Sequence, residues 1–245
     1  MSTTVFTPAL AWARRQFLGL AALPLALPLA LSLAAPLAVP LTVSLGASLA
    51  LLPGSARAAE VSPDTLVRSL SEEMLTTIRA DASLRTGDVR QIMALVDAKV
   101  MPNVNFQRMT ALAVGPVWRQ ATAEQRKRLQ EEFKTLLVRT YAGALTQIQD
   151  ETVVVRPVRL SPGDTEVVVR TEIRGRGDPV QLDYRLEKTP GEGAGWKIFN
   201  LNVLGVWLVE TYRSQFAQEI NARGLDGLVN ALAERNRTAG GRPRS

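Results

Sequence analysis

A change of hydrophobic period near Glu151 constrains the fold more than any other feature of the sequence. Before it, Thr122 and Gln125 form a capping box that begins a helix. Apolar residues then recur at helical spacing for about seven turns, at Leu129, Phe133, Leu136, Leu137, Tyr141, Ala144, Leu145 and Ile148. After Glu151 apolar residues alternate with polar ones, which is typical of strands with one buried face. The pattern therefore predicts one long organising helix followed by a sheet.

Four strands are predicted after the long helix. The first opens at residues 153–155, and the others span about 167–173, 180–186 and 196–203. The connections between them are too short to hold crossover helices, so neighbouring strands are expected to pair antiparallel as a meander.

Helices are predicted on both sides of the strands. The first is capped at Ser62, a second begins near Asp88, and a short helical piece follows it. Two more, at about 207–221 and 225–235, close the chain on either side of Gly224. This order predicts an α+β fold in which helices pack on the apolar face of a curved, four-stranded antiparallel sheet.

The first 58 residues are predicted to be a signal peptide. Arg14 and Arg15 precede a long apolar run, which ends in the small-x-small pattern ARA with cleavage expected after Ala58. The stretch RRQFL also resembles a twin-arginine export signal. An uncleaved membrane anchor is the alternative, because the run is long enough to span a bilayer, although its repeated prolines weaken a spanning helix. The predicted division is a signal peptide (1–58), a domain (59–237) and a disordered tail (238–245).

The chain contains no histidine and no cysteine, and this excludes many enzyme mechanisms. It can form no Ser-His-Asp triad, thiolate nucleophile, or imidazole or thiolate metal site. Carboxylates remain, but the adjacent pairs Glu72 with Glu73 and Glu131 with Glu132 diverge on their helices. The net charge of +6 comes from basic residues scattered among acids, a pattern that does not indicate a nucleic-acid partner. We therefore predict a protein that is not an enzyme and has no metal.

Several spaced blocks of the sequence resemble a known family of lipid-binding proteins. The blocks are FQRM, GPVWR, LLVRTYA, DYR, GWK, GV and YRSQF. Together they cover most of the chain, from about Ser62 to Leu232, and they are similar to the MlaC family, also called toluene-tolerance Ttg2D.

The resemblance implies a periplasmic shuttle that carries phospholipid in a deep apolar cavity and needs no cofactor. It implies two partners, an inner-membrane ABC transporter (MlaFEDB-like) and an outer-membrane lipoprotein complex (MlaA-like), in a system that maintains outer-membrane lipid asymmetry. A hopanoid or other isoprenoid carrier of the same family and an anchored envelope protein that carries nothing are alternatives. Asn200 and Trp207 depart from the family's usual Asp and Ser, which leaves the cargo open.

Apolar and aromatic residues on the helices and the sheet are the candidate cavity lining. They are Phe106, Met109, Phe133, Leu137, Tyr141, Val169, Leu182, Tyr184, Phe199, Leu201, Val206, Trp207, Tyr212 and Phe216. The alternative is an ordinary core, because acyl chains and core side chains need the same apolar contacts. Trp207 is expected to turn the chain across the cavity, so that Trp207→Ala alters bound lipid more than folding.

Two arginines are candidates for contact with a lipid head group. Arg139 flanks the apolar stripe of the long helix, and Arg213 follows Tyr212 in the closing helix. A guanidinium fits the geometry of a phosphate, and pairing with acidic residues of the protein is the alternative.

Overall fold

The chain forms helices before and after a single antiparallel sheet. The computed structural model describes residues 61–240, so the predicted signal peptide lies outside the described residues. The helices are α1 (Pro63–Ala80), α2 (Ala82–Arg85), α3 (Val89–Leu95), α4 (Phe106–Val114), α5 (Ala123–Leu145) and α6 (Leu208–Gly240). A π turn (Val96–Val100) and a 3-10 turn (Met101–Asn103) extend α3, and a second 3-10 turn (Gly115–Gln120) joins α4 to α5.

The helices begin where the sequence provides caps. The Ser62 hydroxyl accepts from the Thr65 amide at the start of α1. At the start of α5 the side chains of Thr122 and Gln125 each accept from the other's backbone amide, at 3.1 and 3.0 Å, which confirms the capping box. The predicted stripe through Ile148 is longer than the helix, because α5 ends at Leu145 and a turn follows.

The sheet has five strands rather than the predicted four. They are β1 (Thr152–Val155), β2 (Glu166–Arg174), β3 (Val180–Lys188), β4 (Trp196–Val203) and β5 (Val206–Trp207), in the spatial order of the sequence and all antiparallel. The added strand forms because Leu204 and Gly205 both adopt positive φ, 52° and 87°. Two such residues make the tight hairpin turn that fits the twist of paired strands, and β5 returns along β4 before α6 begins.

The two faces of the sheet differ in character. Residues directly opposite each other in the register share a face, so Val169, Tyr184 and Leu201 mark the inner face. On the outer face a second row crosses the same strands and consists of Arg170, Asp183, Asn202 and Trp207. The alternation predicted from the sequence therefore separates an apolar inner face from a polar outer face.

Buried apolar side chains form three clusters. The first joins α4, α5 and α6, and its centre is Phe133. The second joins α1 to the inner face of the sheet and includes Val67 and Val169. The third joins α1, α2, α3 and α5 and includes Ile78 and Ile92. The helices thus form a layer against the inner face, as the predicted α+β fold requires.

The last helix has the predicted break and continues further than predicted. Gly224 has φ 69° and ψ −173°, which separates α6 into two helical halves. The second half extends to Gly240, so the helix includes Thr238–Gly240, the first three residues of the predicted disordered tail, whose remaining residues lie outside the described part. Within residues 61–240 no helix has the length and apolar content needed to cross a membrane.

Candidate functional site

The long helix α5 packs on other helices rather than on the sheet. Its main contacts are with α3, α4 and α6, whereas the sheet is contacted by α1 on β1 and β2, and by α4 and α6 on β4. The inner face of the sheet is therefore covered unequally along its strands.

One part of the inner face, the α1-covered half, is closely packed. It comprises Val155, Val169, Leu186, Trp196 and Ile198, which are at most 5% exposed. Leu66, Val67 and Leu70 of α1 complete this cluster. This part of the sheet is an ordinary core.

The other part, the open half, is apolar but incompletely covered. It comprises Ile173, Val180, Leu182, Leu201 and Val203, all of which remain partly accessible. The first three belong to none of the apolar clusters formed by the described residues, whereas Leu201 and Val203 pack at the edge of the first cluster.

Leu137 and Tyr141 of α5 are partly accessible at the edge of that same cluster. They are one helical turn apart and therefore lie on one side of α5. The open half and these two side chains thus form the candidate site.

Several predicted lining residues are core instead. Phe133 is fully buried, and its ring lies 4.9 to 5.7 Å, centroid to centroid, from the rings of Phe106, Tyr212 and Phe216. Met109 belongs to the same cluster. Edge and tilted contacts at these distances are those of a packed aromatic core. These residues therefore hold α4, α5 and α6 together.

All three tyrosines of the chain are shielded from water to some extent. Burial raises the pKa of Tyr184, and the neighbouring hydroxyls of Ser71 and Thr171 oppose this rise. Burial also raises the pKa of Tyr212, and Thr140 and Arg235 oppose this rise. Burial, together with the neighbouring Tyr212, raises the pKa of Tyr141 to about 12. All three phenols therefore have a raised pKa in the folded protein.

Phe199 does not lie on the predicted face. A β-bulge shifts the register between Arg185 and Leu186 and leaves Phe199 without a cross-strand partner. Its ring is covered by the Arg108 guanidinium at 3.8 Å, and this arginine binds the outer-face carboxylates of Glu166 and Glu187. Regular alternation would place Phe199 on the same face as Leu201. The bulge moves Phe199 to the other face, and the sequence contains no local signal that predicts a bulge here.

Trp207 is also on the outer face, which corrects its expected position across the cavity. It pairs with Asn202, and the Arg185 guanidinium lies 4.0 Å from its ring. Val206 is opposite Val203 and so belongs to the inner-face row, but it is 43% exposed at the rim.

Asn200 and Glu210 explain one of the two departures from the family pattern. The Asn200 side-chain Oδ1 accepts from the backbone amide of Val209 near the start of α6, and the Asn200 Nδ2 donates to Glu210 Oε2 at 2.8 Å. Glu210 also pairs with Arg185. Although partial burial opposes it, donation from Asn200 and Arg185 lowers the pKa of Glu210. An Asp at position 200 would place two carboxylates together here.

The two candidate head-group arginines lie in different settings. Arg213 is exposed on α6, and its Nε donates to the Leu112 carbonyl of α4 at 2.9 Å. Arg139 is half-buried, and its Nε has no hydrogen-bond partner among the described residues. Neither makes an ion pair within residues 61–240.

Two surface grooves lie away from the candidate site. One, of about 570 Å³, follows α6 and is lined by residues that include Arg223 and Arg235. The other, of about 450 Å³, lies at the β1–β2 connection near Arg156 and Arg170. The part of the chain that the structure describes also shows no group of three or more His, Cys, Asp or Glu residues placed to hold a metal ion.

Ile173, Val180 and Val203 belong to the candidate site but were not among the predicted residues. The one sequence signal for them was their alternation with polar neighbours, which is consistent with a position on the inner face. Whether a helix covers an inner-face residue depends on tertiary packing, and alternation carries no information about that.

Comparison with known proteins identifies the family. The family model for MlaC protein matches residues 68–234, which is most of the domain. The chain belongs to the MlaC family. The recognition from spaced sequence blocks is confirmed, and so is the α+β fold.

Two proteins of known family and one solved structure are similar to this chain. The intermembrane phospholipid transport system binding protein MlaC of Haemophilus influenzae is 23% identical over 187 residues, covering 76% of this chain and 87% of that one. The toluene tolerance protein ttg2D of Pseudomonas putida is 25% identical over 202 residues, covering 80% and 92%. A phospholipid-binding protein from Ralstonia solanacearum, solved with a phospholipid, is 44% identical with a TM-score of 0.70, covering 74% and 99%.

Proposed function

We propose that this protein is a periplasmic phospholipid carrier that holds acyl chains between α5 and the open half of the sheet. The observation that carries the proposal is the unequal cover of the inner face. Five apolar side chains on the inner face of the open half and two of α5 stay partly accessible.

Hydrocarbon is the cargo chemistry that such a site favours. Each methylene moved from water into apolar contact contributes about 0.8 kcal/mol, so acyl chains gain from the surface that α5 leaves uncovered. The lining has few polar groups, and we expect weak dependence on acyl-chain structure. The exposed residues Thr140 and Ala144 of α5 lie next to Tyr141 and mark where a head group would meet solvent.

The relatives support this proposal and its cellular setting. A phospholipid is bound in the Ralstonia solanacearum protein, and the Haemophilus influenzae relative is named for a transport system. We infer the same partners as the resemblance implied, an MlaFEDB-like transporter and an MlaA-like outer-membrane complex. The resemblance implies no catalysis, and within residues 61–240 no group of three or more acidic residues is placed to hold a metal ion.

A pair of tryptophan substitutions tests the location of the cargo. Leu182→Trp fills the open half, whereas Val168→Trp adds the same ring on the outer face of the neighbouring strand, where Val168 is 41% exposed. We expect native mass spectrometry of protein purified from bacterial cells to show less phospholipid on Leu182→Trp and an unchanged amount on Val168→Trp. Equal lipid on both variants would contradict the proposed site.

The predicted export is tested on the same material. If the signal peptide is removed as expected, the purified protein begins at Ala59, and its intact mass shows this directly. A mass that retains the first 58 residues would instead favour the anchored alternative.

A further inference from the structure

Three large apolar side chains are exposed in one region, around the connection between β1 and β2. Leu160 in that connection is 45% exposed, and Val154 and Val168 on the adjoining strands are 36% and 41% exposed. Six large apolar residues are exposed within residues 61–240, and three of the six lie here. Single exposed apolar residues are common, whereas several in one region indicate an interaction surface.

Two arginines face each other between the exposed valines. The Arg156 amide donates to the Arg170 carbonyl at 2.9 Å, which continues the β1–β2 register by one residue pair. Their side chains therefore share the outer face, with Val154 on one side of the pair and Val168 on the other. Like charges in opposite positions destabilise paired strands, and a bound anion would offset that cost.

The acidic residues of this region already have partners. Glu172 pairs with Arg156 at 2.7 Å, and Glu166 pairs with Arg108. The Asp164 carboxylate accepts from a backbone amide of the connection at 2.7 Å. These three carboxylates are therefore not available to the remaining basic groups.

Arg159 and Arg170 are the basic groups that remain. Both are exposed, and within residues 61–240 their guanidinium groups have no ion-pair or hydrogen-bond partner. With Arg156 they line the groove of about 450 Å³ at the connection, and Leu160 directly follows Arg159. A guanidinium without a carboxylate partner fits the geometry of a phosphate.

We propose that this region binds the surface of a membrane that contains anionic phospholipid. We name it the β1–β2 surface, and it consists of Val154, Arg159, Leu160, Val168 and Arg170. The arginines would bind lipid phosphates, and the aliphatic side chains would enter the head-group layer. An acidic protein would also attract the arginines, but the exposed leucine and valines among them favour a lipid surface.

The β1–β2 surface is separate from the candidate cargo site. The open half borders the β2–β3 and β4–β5 turns, at the opposite end of the sheet and on the opposite face. A protein bound to a membrane through the β1–β2 surface would keep the open half free to exchange cargo. The inference thus goes beyond the carrier proposal, and vesicle binding is tested independently of cargo.

Vesicle flotation measures this binding. The purified protein is mixed with vesicles of phosphatidylethanolamine and phosphatidylglycerol, or with vesicles in which phosphatidylcholine replaces phosphatidylglycerol. We expect about fivefold or more binding to the anionic vesicles at low ionic strength, and a decrease as salt is added. Equal binding to the two kinds of vesicle, or binding to neither, would overturn the proposal.

Two double variants with the same change in charge test the arginines. Arg159→Gln with Arg170→Gln should lower binding to anionic vesicles about fivefold or more. Arg85→Gln with Arg128→Gln removes two exposed arginines from the helices and should have little effect.

Two leucine variants test the apolar part of the surface. Leu160→Ser should lower binding to anionic vesicles about threefold or more, because its side chain no longer enters the head-group layer. Leu204→Ser changes a leucine that is 40% exposed at the β4–β5 turn and should leave vesicle binding unchanged. All four variants change exposed side chains, so their melting temperatures should stay close to that of the unmodified protein.

The outcomes separate the membrane surface from an acidic partner and from the carrier function. Unchanged vesicle binding in the Arg159 and Arg170 double variant or in Leu160→Ser would overturn the β1–β2 surface. Binding of the unmodified protein to polyglutamate but not to anionic vesicles would assign the arginines to an acidic protein and overturn the membrane proposal. The phospholipid that co-purifies should be the same in all four variants, as for Val168→Trp. Its absence from the unmodified protein would contradict the carrier proposal alone.

Discussion

The two halves of the sheet's inner face are built from the same residue types, and they differ in what covers them. In the α1-covered half, α1 lies directly on the strands, and the side chains of Val169 and Leu186 are inaccessible. In the open half, α6 contacts mainly β4 and β5, and the long helix α5 packs on α3, α4 and α6 rather than on the strands. Valine and leucine therefore serve as core in one place and as a candidate binding surface a few residues away.

This difference shows why a lipid site is hard to recognise from composition. A fully covered apolar side chain contributes to stability, whereas a partly covered one can contribute to binding, and both follow from the same transfer free energy. Leu186 and Leu182 are on the same strand and the same face, so they make the most direct comparison. The predictions that follow test that contrast, beginning with the largest expected effect.

Truncation of the two leucines should separate stability from binding. Leu186→Ala removes a fully buried side chain and should lower the free energy of unfolding by about 3 kcal/mol. Leu182→Ala should cost about 1 kcal/mol or less and reduce the phospholipid that co-purifies. Chemical denaturation and native mass spectrometry of both variants check this. Similar losses of stability in the two variants would mean that the open half is core.

We expect the free energy of unfolding to decrease at alkaline pH, because the three tyrosines have raised pKa values. Their pKa values are raised in the folded protein, so it keeps its phenol protons longer than the unfolded chain does. Their contribution is complete below the ordinary pKa of about 10 and is lost as pH rises, for Tyr141 up to about 12.

Ultraviolet absorbance of tyrosinate during an alkaline titration measures this shift. Phenols titrating near 10 in the folded protein would show that these rings are more solvated than the structure indicates.

A mutation on the outer face should change the stability of the protein and leave the amount of bound phospholipid unchanged. Asn200→Asp places a carboxylate beside Glu210 in place of a donated hydrogen bond, and should destabilise the protein by roughly 1–2 kcal/mol at neutral pH. Lowering the pH protonates one carboxylate and should narrow the difference from the unmodified protein. The double variant Asn200→Asp with Glu210→Gln restores a donor and should recover most of the loss. Altered lipid content in Asn200→Asp would connect this face to the site.

Trp207→Ala should have the smallest effect of the set. The ring lies on the outer face against Arg185, and loss of this contact should cost about 0.5–1 kcal/mol. The sequence-based expectation was a change in bound lipid, and the structure now predicts that bound lipid is unchanged. Native mass spectrometry beside a melting curve distinguishes the two, and a changed lipid profile would favour the earlier expectation.

Local signals in the sequence predicted the elements well. The cap at Ser62, the capping box at Thr122 and the break at Gly224 each depend on a few neighbouring residues, and each is confirmed. Strand β4 matches its predicted bounds. The short strand β5 was missed because its turn needs positive φ at Leu204, a residue that seldom adopts it.

The site was less predictable because it depends on contacts between distant elements. The inner-face positions of Leu182, Tyr184 and Leu201 followed correctly from alternation. The face predicted for Phe199 was wrong because a bulge interrupts the alternation. Phe133 was predicted to line the cavity, whereas its ring packs against other aromatic rings.

Photo-crosslinking with a phospholipid that carries a diazirine in its acyl chain tests the central claim most directly. After loading and irradiation, peptide mass spectrometry locates the modified residues. The account predicts adducts on both parts of the candidate site, at Leu137 or Tyr141 of α5 and at Leu182 or Val203 of the open half. Adducts confined to the outer face or to the grooves on α6 and the β1–β2 connection would contradict it.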